Sequence, residues 1–91
     1  NYIDVKFNLG LLYLEKGELE KAKIFFFDII EKQSKNIDVY YNLYKCFMLD
    51  GDSKKAKEFK SIILDLDSDF IFDINEWFYG CKLILKLYNI S

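Results

Sequence analysis

This chain of 91 residues contains no His, no Arg and no Pro. All 13 of its basic residues are therefore Lys. The guanidinium group of Arg binds phosphates and guanine edges through two parallel hydrogen bonds. Its absence argues against sequence-specific nucleic-acid binding. Beside abundant Lys, Asn, Ile, Tyr and Phe, these absences are typical of a bacterial-like, AT-rich genome. Each of them alone therefore carries little functional weight.

Reactive groups are also scarce. The two cysteines, Cys46 and Cys81, are too few and too far apart for a metal-binding pair, so we expect buried thiols, with a disulfide as the alternative. There is no glycine-rich phosphate loop, no nucleophile motif and no evident pair of converging carboxylates. We therefore expect no metal, no cofactor and no catalytic activity in the domain itself.

What remains is a strongly apolar chain. Hydrophobic residues make up 52% of it, including nine Phe and seven Tyr, and its net charge is −2. Such a composition favours a single folded domain with one core. Charged residues interrupt the most apolar stretch, residues 70–90, which argues against a membrane span. The chain begins with Asn1 and shows no leader-like segment, so we expect a domain excised from a longer protein and favour a cytoplasmic location.

A repeat of 34 residues organises the sequence. The segment from Ile3 to Ala22 recurs without gaps as the segment from Ile37 to Ala56. The matched pairs are Asp4/Asp38, Val5/Val39, Asn8/Asn42, Leu9/Leu43, Gly17/Gly51, Lys21/Lys55, Ala22/Ala56, Lys23/Lys57, Phe25/Phe59, Ile29/Ile63 and Ser34/Ser68. A copied supersecondary unit is therefore predicted, with repeats at about 3–34 and 37–68.

Within each repeat the apolar residues recur at helical spacing, and a glycine separates two such runs. Gly17 and Gly51 can adopt the left-handed conformation that closes a helix, so each repeat is expected to form an antiparallel helix pair. The same register predicts, after the second repeat, a third copy of the first helix of a repeat or a helix that caps the array. The expected fold is all-α, with five helices at roughly 3–16, 19–33, 37–50, 53–66 and 71–89.

The period, together with Leu9, Gly10, Tyr13, Gly17, Ala22 and Phe26 at their offsets, resembles the tetratricopeptide repeat (TPR) family. The resemblance implies a right-handed superhelical α-solenoid and a role in binding other proteins. Five positions depart from the family pattern. Lys6 stands at a usually apolar position, Tyr44 replaces the small residue matched by Gly10, and Lys60 replaces the aromatic residue matched by Phe26. Ser34 and Ser68 replace the usual terminal Pro. Tyr44 is expected to widen the second helix pair or to turn its ring outward.

The family places its ligand in a concave groove lined by the first helices. The groove positions correspond here to a stripe at i, i+4 and i+7 spacing with an Asn beside it, and we expect it to bind a peptide or an amphipathic helix. Its residues are Phe7, Asn8, Leu11, Leu14, Tyr41, Asn42, Lys45, Met48, Asn75, Tyr79 and Lys82. Two alternatives stay open: neighbouring helices or the missing remainder of the protein cover the stripe, or the two Asn residues of the repeats are purely structural.

Two related functions are disfavoured. Some members of the family hold a chaperone's C-terminal carboxylate with Lys and Asn, but Phe7 and Leu11 occupy slots that this clamp requires. Lysines on the second helices could suggest nucleic-acid binding. They alternate with acidic residues as on a solvated convex face, and these lysines are Lys21, Lys23, Lys54, Lys55, Lys57 and Lys60.

The last predicted helix has more apolar surface than one neighbouring pair can cover. This pattern favours a structural or self-association module as the alternative function, with the helix packing on further repeats or on a second copy. The predicted association surface consists of Trp77, Leu85 and Tyr88. The expected partner is thus another protein or peptide, with no nucleic acid and no direct membrane insertion.

Overall fold

The computed structural model describes residues 1–72. Over this part of the chain it contains four α-helices and no strand. The helices are α1 (Tyr2–Glu15), α2 (Leu19–Lys32), α3 (Ile37–Leu49) and α4 (Ser53–Leu66). The all-α prediction is confirmed for these residues, and each of the four expected helices lies within one residue of its predicted bounds.

The fifth helix was expected to begin at about residue 71, but Ile71 and Phe72 are not helical. At the start of α3, the side chain of Asn36 accepts a hydrogen bond from the amide of Val39 and so caps the helix. After α4, the residue equivalent to Asn36 is Phe70, whose side chain has no hydrogen-bond acceptor. The remainder of the predicted helix lies outside the described residues.

Both helix pairs turn at a glycine in the same way. Gly17 and Gly51 have φ of 77° and 80°. In the first pair the amide of Glu18 donates to the carbonyl of Tyr13 at 2.9 Å, while the amide of Gly17 donates to Leu14 at 3.0 Å. Together these two bonds form a Schellman motif, and the turn after α3 repeats them. The predicted helix–glycine–helix unit is confirmed in both copies.

The helices pack in chain order, α1 on α2, α2 on α3 and α3 on α4, and α1 also contacts α3. The core is continuous across the two pairs. Its buried hydrophobic residues are Ala22, Phe26, Ile29, Val39, Tyr40, Leu43, Tyr44, Cys46, Phe47, Ala56, Phe59 and Ile63. Of the residues that carry the family resemblance, Ala22 and Phe26 are fully buried, whereas Leu9 and Tyr13 are only partly buried.

Of the two alternatives expected for Tyr44, the outward-turned ring is excluded. Tyr44 is buried and lies against Phe72, with ring centres 5.2 Å apart. In the first pair, the ring of Phe26 lies so close to Gly10 that an added Cβ would be 2.6 Å from it. Lys60, in the register of Phe26, is exposed instead. The second pair therefore has no competing ring from α4 where Tyr44 is buried.

Candidate binding surface

On α1 the predicted stripe lies at the surface. Phe7, Leu11 and Leu14 are partly buried, and Asn8 beside them is exposed. Phe7 meets the core ring of Phe26 edge-on, with centres 6.1 Å apart. Each apolar side chain is thus held by the core while part of its surface stays accessible. We call these four residues the α1 stripe.

On α3 the continuation of the stripe is partly buried, as it is on α1, but aromatic rings also pack on it. Tyr41 lies 5.3 Å from the ring of Phe70 and 5.9 Å from that of Phe72, measured between centres. The ammonium group of Lys45 lies 4.9 Å from the centre of the Tyr41 ring. Met48 is partly buried. The segment that follows α4, which is not helical at Phe70 and Phe72, therefore packs on the Tyr41 end of this half.

Asn42 occupies a different environment from its counterpart Asn8. It is buried, and its side-chain amide donates to the carbonyl of Asp38, one turn earlier in the same helix, at 2.8 Å. Among the described residues, no group donates to its Oδ1 atom. Of the two equivalent Asn residues in the repeats, Asn8 is therefore exposed and Asn42 is not.

A polar depression of about 280 Å³ lies where α1 and α3 begin. Asp4 and Asp38, which are equivalent in the two repeats, contribute to its wall, and Phe7 from the α1 stripe reaches it. Both carboxylates are exposed, and they lie in the first turns of their helices, where the helix dipole favours negative charge. One end of the α1 stripe is therefore acidic.

The six remaining predicted site residues lie outside the described part of the chain. These are the groove residues Asn75, Tyr79 and Lys82 and the association residues Trp77, Leu85 and Tyr88.

Lys23 is a structurally important residue that the pattern placed incorrectly on a solvated face. It is buried between the repeats, and its ammonium group lies 2.9 Å from both Glu20 and Asp50 and 4.5 Å from the ring centre of Phe47. Burial alone would lower the pKa of Lys23, but the hydrogen bonds from its ammonium group to Glu20 and Asp50 outweigh that effect and raise the pKa. The charged form is therefore favoured.

Cys46 is buried, as expected, and burial raises the pKa of its thiol to about 11. At neutral pH it is a protonated packing residue rather than a nucleophile. Within residues 1–72, no cluster of three metal-ligating side chains occurs. No helix in the same range has the length and apolarity needed to span a membrane.

Comparisons of the chain with protein-family models, with curated proteins and with solved structures found no match.

Proposed function

We propose that this chain is a TPR-like helical array, wound as a right-handed superhelix, whose function is to bind another protein through the α1 stripe. The 34-residue repeat, the two glycine-closed helix pairs and the sequential packing of the helices support this architecture. The ligand is an extended peptide or an amphipathic helix, and the domain contributes binding rather than catalysis.

One observation carries the proposal: Phe7, Leu11 and Leu14 form an accessible apolar row anchored on the core, with an exposed amide beside it. A row at i, i+4 and i+7 matches the apolar face of a helix laid along it. Asn8 can donate to and accept from a ligand backbone, because its side-chain amide has both functions.

Charge adds a preference for ligand orientation. Since Asp4 and Asp38 make one end of the stripe acidic, a ligand with a Lys or Arg near that end is favoured. An exposed charge pair contributes about 0.2–1 kcal/mol, so this contact selects orientation more than it sets affinity. Binding of such a ligand should weaken as salt concentration rises.

A displayed library of random peptides, selected on the 91-residue chain and counter-selected on an Asn8→Ala/Leu11→Ser variant, tests the proposal. Both residues lie on the open half of the surface. This choice avoids Tyr41, whose ring also packs on Phe70 and Phe72. We expect peptides with apolar residues at helical spacing and a basic residue at one end.

Lys54→Ala is the matched control, because Lys54 is an exposed residue of α4. Selected peptides should bind this control as well as they bind the wild type and should bind the Asn8→Ala/Leu11→Ser variant at least tenfold more weakly. Equal binding to all three proteins, with circular dichroism showing the same helix content, would exclude the α1 stripe as the ligand site.

A further inference from the structure

The outer faces of α1 and α3 are equivalent in the two repeats. The face of α3 is covered by a neighbouring helix, which we call the occupied form, and the face of α1 is the open form. In the occupied form, α2 packs on α3, and Val39 and Cys46 on α3 are fully buried. Their equivalents on α1, Val5 and Leu12, are 57% and 45% exposed. The outer face of α1 therefore has the apolar character of a helix interface, while none of the described helices covers it.

An aromatic socket makes the occupied interface specific. Phe47 and Phe59 stack with ring centres 5.3 Å apart, and Phe27 from α2 meets them edge-on at 6.3 Å and 6.0 Å. The equivalent pair in the first repeat, Tyr13 and Phe25, is stacked in the same manner at 5.7 Å. Both of these rings are partly exposed. Among the described residues, no third ring meets this pair as Phe27 meets the other one, although Phe27 itself stays 39% exposed. The first repeat thus contains the same stacked pair without a third ring against it.

The charge beside the socket is reversed between the repeats. In the occupied interface, Lys23 of α2 pairs with Asp50, the residue that caps the end of α3. The equivalent cap of α1 is Lys16, which is exposed, and Lys21 lies nearby with its ammonium group 5.5 Å from the centre of the Tyr13 ring. A helix docked here in the manner of α2 would need an acidic residue where α2 has Lys23.

We propose that the outer face of α1, formed by Val5, Leu12, the Tyr13/Phe25 socket and Lys16, binds an amphipathic helix of a partner protein. That helix carries an acidic residue facing Lys16 and, four positions later, a large aromatic or aliphatic residue that enters the socket. This surface is separate from the row of Phe7, Leu11 and Leu14, and it adjoins the α1 stripe at Asn8, which lies one turn from both Val5 and Leu12.

A second copy of the chain does not supply such a helix from its described residues. Its α2 is already packed on its own α3. In the register of Lys23 and Phe27, α4 presents Lys57 and Ser61, which would place a second ammonium group near Lys16 and leave the socket empty.

The probe is a labelled peptide with the sequence of residues 18–33, in which Lys23→Glu supplies the acid and Phe25→Lys and Ile29→Lys provide solubility. A matched peptide retains Lys23. Fluorescence anisotropy should show that the wild-type protein prefers the acidic peptide by about two- to fivefold, as expected for one exposed ion pair. The Lys16→Glu protein should reverse this preference, and Val5→Asp should reduce binding of both peptides at least tenfold.

Amide chemical shifts provide the second readout, and the acidic peptide should perturb Val5, Leu12 and Tyr13 more than Phe7 and Leu11. Three results would overturn the proposal: a preference that does not reverse with Lys16→Glu, shifts centred on Phe7, Leu11 and Leu14, or a concentration-dependent dimer that Val5→Asp abolishes. If a longer form of the polypeptide fails to bind the peptide, a covalently attached helix occupies the face, and assignment to a partner is wrong. A Leu11→Ser variant should bind the peptide normally, so this test does not depend on the function of the α1 stripe.

Discussion

In the first helix pair the large ring near the helix crossing comes from the second helix, whereas in the second pair it comes from the first helix. Phe26 of α2 lies against Gly10 of α1, while Tyr44 of α3 is buried and the residue equivalent to Phe26 is Lys60. Each pair therefore has one large buried ring at these two positions, and the other position holds a small or an exposed residue. The comparison shows that equivalent positions exchange which helix of a pair supplies the buried ring.

The two pairs also differ in what surrounds them. The second pair is covered by α2 on one side, and Phe70 and Phe72 pack on its first helix, while the outer face of the first pair is open. Equivalent positions consequently differ in burial even where the residues are identical, as for Val5 and Val39. Burial in a repeat is determined by the neighbouring unit as much as by the local sequence.

The largest expected difference between the pairs is at Phe26 and Lys60. Phe26→Ala should lower the free energy of unfolding by about 3–5 kcal/mol, because the ring is fully buried in the core. Lys60→Ala, at the equivalent position, should change it by less than about 0.5 kcal/mol, since Lys60 is exposed. Urea unfolding of both variants measures the difference. Similar losses in the two variants would mean that the crossings do not differ as described.

Gly10→Ala should destabilise the protein by about 1–2 kcal/mol. The new Cβ would lie 2.6 Å from the Phe26 ring, and the strain of overpacking exceeds the gain in helix propensity of about 1 kcal/mol. In a Phe26→Ala background the same substitution should stabilise, because the obstructing ring is gone. A double-mutant cycle from urea unfolding checks the change of sign, and additive effects would contradict the close approach.

Lys23→Met should reduce the free energy of unfolding by about 1 kcal/mol, while Lys57→Met should have almost no effect. Lys23 is buried and hydrogen-bonded to two carboxylates, whereas Lys57 is exposed. Thermal unfolding should show a decrease in Tm of about 4–8 °C for the first variant only.

The contribution of Lys23 should also depend on pH. Its pKa is raised in the folded state, so the stabilisation is fully present below the unfolded value of 10.5 and is lost as pH rises through the folded pKa. Measured from pH 9 upward, the wild type should lose stability more steeply than Lys23→Met. Parallel curves would show that the ion pair does not contribute.

The smallest effects are expected at the two turns, where the pairs should behave alike. Gly17→Ala and Gly51→Ala should each lower stability by about 0.5–1 kcal/mol, because both glycines have positive φ and no atom lies within 4 Å of an added Cβ. The two variants should differ by less than about 0.3 kcal/mol in thermal unfolding. A larger difference would show that the turns are not equivalent.

The helix pairs could be predicted because their determinants are local and copied: the glycine turn, the apolar spacing and the 34-residue period all lie within one unit. Contacts between residues that are distant in the sequence could not be predicted. Lys23 and Lys57 are identical and lie in equivalent positions. Within residues 1–72, only Lys23 meets an acidic residue of the next unit, 27 positions later. Likewise, no local signal shows that Phe70 and Phe72 return to Tyr41 and Tyr44.

For the candidate site, the spacing on α1 was enough to place Phe7, Leu11 and Leu14 on one accessible face. It could not distinguish Asn8 from Asn42, because the difference depends on whether another unit covers the amide. The socket of Tyr13 and Phe25 was also missed, since its meaning emerges only from comparison with Phe27 in its occupied equivalent.

The α2/α3 interface also bears on how the described helices unfold. Each helix pair spans about 30 residues, and a unit of that size is too small to be stable without its neighbour. Phe27 in its aromatic socket and Lys23 beside Asp50 therefore couple the two pairs thermodynamically. If this coupling is strong, the pairs melt in a single cooperative transition; weakening that one interface would let them lose structure separately.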